Sequence, residues 1–213
     1  MKIIVLSLKN EIGEARREKL NYVYEIFWGI YNLNDVPEWV KCHMRRNNCS
    51  DSLFRGKCCH FFSYYSILKK IVEEKINDVI ICEDDAILKE IKDINSDEPV
   101  LLNAELIHPT DFKKQKFFKF EDIDFKEGIN EIDYSKYRWR CSATIYYPTY
   151  KSAEKIINFI DNCKTQFTHT DLFMAKHKLI KYLYYPSLFI IKDDKVSQIN
   201  KPSGTIDNYA VKY

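Results

Sequence analysis

The amino-acid sequence predicts one α/β domain, residues 1–213, with a mostly parallel central sheet flanked by helices. Three observations carry that expectation. Residues 2–8 form a near-continuous apolar run, as a strand covered on both faces does, and a helical pattern follows it. A second run, Val79-Ile80-Ile81-Cys82, comes directly after another helical stretch. Pro99-Val100-Leu101-Leu102-Asn103-Ala104 continues the alternation, and no internal repeat or linker divides the chain.

Taken in order, the first strand leads into a helix from Glu14 to about Gly29, with Leu20, Val23, Tyr24 and Phe27 on one face. Asn34 to Glu38 is a turn around Pro37, Trp39 to Cys42 a short strand, and Arg45 to Arg55 a basic polar loop. From Cys59 to Lys75, Phe62, Tyr65, Ile67, Leu68, Ile71 and Val72 recur at helical spacing. The stretch 111–137 keeps no period and predicts irregular strands or a flap. Its aromatics between lysines, Phe112 to Phe120, suit stacking on bases or sugars, while a half-buried edge hairpin accounts for them equally well and is the favoured reading. Cys141 to Tyr147 is a strand stopped by Pro148, and Ser152 to Cys163 an amphipathic helix carrying Ile156, Ile157, Phe159 and Ile160. Asp171 to Leu179 is a further helix, a strand runs from Leu183 through Ile191, and Asn200 to Tyr213 is a polar tail.

Composition narrows the function classes. With 46% hydrophobic and 30% charged residues, the chain is globular rather than broadly disordered. A net charge of +2 gives no electrostatic basis for a nucleic-acid partner. The apolar start is too short for a signal peptide, and no apolar run is long enough to span a bilayer. A soluble, cytoplasmic protein is therefore expected. Seven cysteines without regular spacing suit reduced thiols. The group Cys42-His43, Cys49 and Cys58-Cys59-His60 matches no common zinc spacing.

The residues richest in chemistry follow the second strand: Glu83-Asp84-Asp85-Ala86. In extended geometry Glu83 and Asp85 share a face while Asp84 points away. Two carboxylates on one side suit a hard cation such as Mn²⁺ or Mg²⁺, while an acid cluster in a solvated turn or at a helix N-terminus is the equally weighted structural explanation. The five glycines form neither a Walker loop nor a dinucleotide fingerprint. A phosphate-bearing substrate would then be neutralised by a metal and by Arg or Lys side chains.

Several segments in order resemble glycosyltransferase family 25, a group with a GT-A-like, Rossmann-like fold. They are Val5-Leu6-Ser7-Leu8, the pair Arg16-Arg17, Gly56-Lys57-Cys58-Cys59-His60, and Glu83-Asp84-Asp85-Ala86. Cys141-Ser142-Ala143-Thr144, Ser152-Ala153-Glu154, Asp171, Pro186-Ser187-Leu188 and Ser197-Gln198-Ile199 continue the series. Cys59 stands where the family usually has a serine, and 105–137 matches poorly. Within the family the chain is similar to the first domain of multidomain enzymes of large algal viruses, which implies further domains on a longer polypeptide and, if viral, a host cytoplasm.

The resemblance implies a nucleotide-sugar half, about 1–104, and an acceptor-side half, about 105–213. It implies a UDP-sugar donor, carrying a hexose or deoxyhexose, and a glycan or glycoprotein acceptor. Ser7, Leu8 and Lys9 would hold base and ribose, Glu83 and Asp85 a Mn²⁺ or Mg²⁺, and Asp84 the ribose or the metal's water shell. Arg55 or Lys57 would assist at the diphosphate, Arg16 or Arg17 less so; surface charge is the commoner fate of such residues. Asp171 in Thr168-His169-Thr170-Asp171 is the candidate base, with helix capping as its equal alternative. His169 and His177 are further ligand candidates, more simply read as structural histidines. Two other function classes compete: a metal-dependent phosphoryl-transfer enzyme or nuclease, and a non-catalytic glycan-binding module rich in its 15 tyrosines and 13 phenylalanines.

Overall fold

The structure, a computed structural model, describes residues 1–46, 49–103, 105–107, 117–118, 123–140 and 144–191. The chain opens with β1 (Lys2–Ser7), α1 (Glu11–Arg17) and β2 (Glu25–Trp28), followed by a 3₁₀ turn, α2 (Glu38–His43) and α3 (Asp51–Glu73). Then come β3 (Val79–Glu83), β4 (Ala86–Leu88), β5 (Val100–Leu101), β6 (Glu105–Ile107), β7 (Phe117–Phe118), β8 (Gly128–Glu131) and β9 (Arg138–Arg140). β10 (Ile145–Tyr147), α4 (Tyr150–Asp161), α5 (Thr170–Lys176), β11 (Tyr182–Tyr185) and β12 (Phe189–Ile191) complete the described chain.

The main sheet has seven strands in the order β2-β1-β3-β10-β5-β11-β8. β2, β1 and β3 are mutually parallel, as are β5 and β11. β10 lies antiparallel to both β3 and β5, so those two point the same way. Five of the seven strands thus share one direction, and the α/β expectation holds with β10 and β8 reversed. β12 and β4 form a separate antiparallel ribbon, and β7-β6-β9 a small third sheet.

Strand alternation explains why the core runs read as unbroken apolar sequence. Ile4 and Leu6 join Val79, Ile81, Leu101, Ile145 and Tyr147 on the face covered by α3, α4 and α5. Ile3, Val5, Ile80, Cys82 and Val100 lie on the other face, beneath Leu20, Tyr22, Tyr24 and the ribbon residues Ala86, Leu88 and Phe189. With both faces buried, neither set of alternate residues is left polar.

Four expected elements are corrected. The helix predicted from Glu14 to Gly29 ends at Arg17, and Glu25–Trp28 is a parallel edge strand beside β1. Tyr22 and Tyr24 pack on the sheet with period two while Val23 between them is 93% exposed. Trp39 to Cys42 is helical, within α2, whose six residues are too short to display a period. The basic loop ends sooner than expected, because Ser50 caps α3 by accepting the Leu53 N–H at 3.2 Å, and α3 then runs 23 residues. The single strand through Ile191 is two, since β11 belongs to the main sheet and β12 turns back to pair with β4. Residues 111–116, 119–122, 141–143 and the tail lie outside the described residues. Among the described residues, no helix is long and apolar enough to cross a membrane.

α1 lies against the end of β1. Asn10 caps it by accepting the Gly13 N–H at 2.8 Å. A Cβ at Gly13 would stand 2.4 Å from the Leu8 carbonyl oxygen and 2.9 Å from both Ser7 Oγ and Arg17 Nη1, so any larger residue there displaces the helix. That close approach brings the consecutive arginines at the end of α1 onto the sheet's rim.

Candidate functional site

β1 and β3 are parallel neighbours, with Leu6 opposite Glu83, so their carboxyl ends emerge side by side. In an open α/β sheet this is where ligands bind. Glu83 closes β3, Asp84 and Asp85 make the turn, and Ala86 begins β4. Adjacent residues on a helix point about 100° apart, and Arg16 and Arg17 use that difference to reach separate targets. Arg16 Nη1 lies 3.2 Å from Asp84 Oδ1 and 3.7 Å from Asp85 Oδ2. Arg17 donates from Nη1 to Ser7 Oγ at 2.6 Å and to the Leu8 carbonyl at 3.0 Å, with its guanidinium 4.8 Å from the centre of the Trp28 ring. Lys9 Nζ stands 5.1 Å from the same ring. Ser7 in turn donates to Asp84 Oδ2 at 2.6 Å.

The three acids therefore divide. The Asp84 side chain is 4% exposed, against 18% for Asp85 and 38% for Glu83. Asp84 is turned into the Arg16 and Ser7 network, while Glu83 and Asp85 keep solvent access. Glu83 Oε1 lies 3.1 Å from His60 Nε2, and His60 Nδ1 lies 2.8 Å from Thr170 Oγ1. Next to Thr170 in the first turn of α5 is Asp171, whose Oδ1 accepts the Leu172 N–H at 2.7 Å. The N-cap position itself belongs to His169, which makes no side-chain cap bond.

Charges in this cluster act on one another. Burial disfavours charge on Glu83, yet the His60 imidazole, its hydrogen bond and Arg16 hold the Glu83 carboxyl below its ordinary value. Burial likewise opposes charge on His60, but Glu83, then Asp171 and Asp85, raise its pKa overall. As imidazolium the ring donates from both nitrogens, to Glu83 and to Thr170. His169 is lowered, first by burial and then by Lys57 and His60, against the pull of Asp171.

A pH dependence follows with definite sign. The lowered Glu83 pKa contributes stability above the unfolded carboxyl value of 4.5 and loses it as pH falls through the folded value. The raised His60 pKa contributes below the unfolded imidazole value of 6.5 and loses it as pH rises through the folded value. Both contributions coexist between pH 4.5 and 6.5, so the Tm gap between wild type and Glu83→Gln is widest there. A gap that stays flat across that window and beyond it on both sides would show that the two side chains do not interact.

The remaining candidates make other contacts. Arg55 stacks on Tyr31, with its guanidinium 4.8 Å from the ring centre. Lys57, on the same helix, acts electrostatically on His169. His177 is engaged elsewhere, 3.0 Å from Thr165 Oγ1 and against the rings of Phe159 and Phe173. Among the described residues, no three Cys, His, Asp or Glu side chains converge as a ready metal cage. Glu83 and Asp85 nonetheless offer partly exposed carboxylate oxygens, a donor set that fits a hard divalent ion completed by water or phosphate. Sequence reasoning gave Arg16 and Arg17 only a minor place and missed Trp28 and the bridge from His60 to Thr170. The consecutive arginines after a strand-to-helix turn were the visible signal for the first two.

Comparison with known proteins identifies the family of the chain. A family model described as glycosyltransferase family 25 (LPS biosynthesis protein) matches residues 1–174, a span that includes every candidate from Ser7 to Asp171. No curated protein matches the chain. A glycosyltransferase takes its sugar from an activated nucleotide donor and passes it to an acceptor. Because the match covers far more than half of the 213 residues, the chain belongs to glycosyltransferase family 25.

Proposed function

We propose that the chain moves a hexose or deoxyhexose from a UDP-linked donor to a hydroxyl of a glycan or glycoprotein acceptor. One observation carries this reading: Glu83 and Asp85 stand at the carboxyl end of β3, beside the end of β1, with Asp171 tied to the same place through Thr170 and His60. Base and ribose lie along Leu8 and Lys9. Ser7 and Asp84, 2% and 3% exposed, support that surface from beneath by fixing the turn. Arg55 and Lys57 meet the diphosphate charge.

Glu83 and Asp85 would hold Mn²⁺ or Mg²⁺, which supplies charge stabilisation for the departing nucleoside diphosphate. Asp171 accepts the proton of the acceptor hydroxyl as that oxygen bonds to the anomeric carbon. The bond from that carbon to the diphosphate oxygen breaks at the same centre, and its electron pair leaves with UDP.

A thermal-shift screen of UDP-, GDP- and CDP-linked sugars, with and without Mn²⁺, tests the reading. Metal-dependent stabilisation by UDP-sugars is expected, together with slow donor hydrolysis that Asp85→Ala abolishes. Silence toward every nucleotide sugar, accompanied by phosphatase or nuclease activity, would overturn it.

A further inference from the structure

His60 is the side chain that touches both halves of the site. It sits on α3 and reaches Glu83 at the end of β3, 23 residues away, and Thr170 in the first turn of α5, 110 residues away. Its two ring nitrogens point in opposite directions, so two hydrogen bonds at 3.1 Å and 2.8 Å fix both torsions of the side chain. The neighbouring residue on α3 anchors the backbone, since the Phe61 ring stacks on Phe167 at 4.5 Å and meets Phe173 of α5 edge-on at 5.5 Å. The imidazole is only 20% exposed, with both nitrogens engaged within the protein. It is therefore built to hold other groups and not to meet substrate.

Resting on the functional reading above, we propose that His60 is a positioning residue for sugar transfer. It locks the Glu83 carboxylate and the turn carrying Asp171 into one fixed relation, joining the donor side of the site to the acceptor side. Without the imidazole, Glu83 regains its free torsions, and Arg16, whose charge already acts on it, becomes the nearer attraction. Arg16 already serves Asp84 and Asp85, so that collapse draws Glu83 away from the open rim. A support of this kind, behind a metal-holding carboxylate, is one whose removal costs about 10- to 100-fold in metal affinity or rate.

UDP and Mn²⁺ are the probes, read by thermal shift on the full chain. His60→Ala is expected to raise the Mn²⁺ concentration for half-maximal stabilisation of the UDP complex by about 10- to 100-fold. His60→Gln, whose amide can donate to Glu83 and accept from Thr170, recovers part of that loss. In a Glu83→Gln background, His60→Ala adds no further change, because the group it acts through is already gone. A purely structural His60 gives another pattern: a lower Tm of the free variant, an unchanged Mn²⁺ requirement, and an effect that adds fully to Glu83→Gln. That pattern overturns the inference while leaving the transferase intact. A wild type silent to UDP and Mn²⁺ overturns the functional reading and this inference with it.

Discussion

Arg16→Leu is expected to remove about 3–5 kcal/mol of folding stability, the cost of leaving a buried charge without its partner. Arg16 and Asp84 are 8% and 3% exposed, and their closest atoms lie 3.2 Å apart. Leucine fills much of the volume but leaves Asp84 beside Glu83 and Asp85 with one cation fewer. Ser7 still donates to Asp84, yet a neutral hydroxyl does not replace the guanidinium's charge. Against a typical total of about 5–15 kcal/mol, the loss is large enough to leave part of the chain unfolded at 37 °C. Urea midpoints at constant m-value measure it. Arg16→Lys keeps the charge but not the planar fork, so it falls between wild type and leucine. Adding Asp84→Asn to Arg16→Leu recovers part of the stability, because the amide still accepts from Ser7 without needing a cation. A loss below about 1 kcal/mol for Arg16→Leu would mean that the pair is as weak as a solvated one.

How much of this was legible in the sequence depends on how local each cause is. β1, β3 and β5 were readable because burial on both faces makes their runs apolar throughout, and α3 and α4 because their buried residues recur at helical spacing. β2 was not, because Leu20, Tyr24 and Phe27 happen to be spaced as on one helix face. What decides their state is the open edge of β1, to which Glu25–Trp28 hydrogen-bonds. α2 was hidden by its length. In the site, the acid triplet announced itself, and strand alternation already set Asp84 apart from Glu83 and Asp85, but what holds each of them was not legible. Asp84 faces inward because of Arg16, 68 residues away, and Glu83 is held by a helix whose tie to α5 spans 110 residues. No local period encodes contacts of that range.

Asp171→Asn is expected to lower the transfer rate constant by about 10²- to 10⁴-fold, the usual contribution of a positioned general base. The substitution is nearly isosteric. Its amide oxygen still accepts the Leu172 N–H that Asp171 Oδ1 holds at 2.7 Å, so the first turn of α5 persists. Capping makes the contrary forecast: a cap lost costs about 1 kcal/mol in stability and leaves the chemistry alone. The capping position in α5 is His169, and Asp171 is the second helical residue, within the first turn, so little stability is at stake. UDP and Mn²⁺ binding should likewise be unchanged, since the contacts proposed for them lie on the β1 and β3 side. NMR titration supplies a check independent of turnover. Asp171 opposes the lowering of His169, so its neutralisation moves the His169 pKa further down. Asp171→Gly separates the roles once more, because it vacates space in which added formate can take up the acceptor proton. Recovery of transfer with formate assigns the base to this position, whereas full activity in Asp171→Asn with a lowered Tm assigns Asp171 to the helix alone.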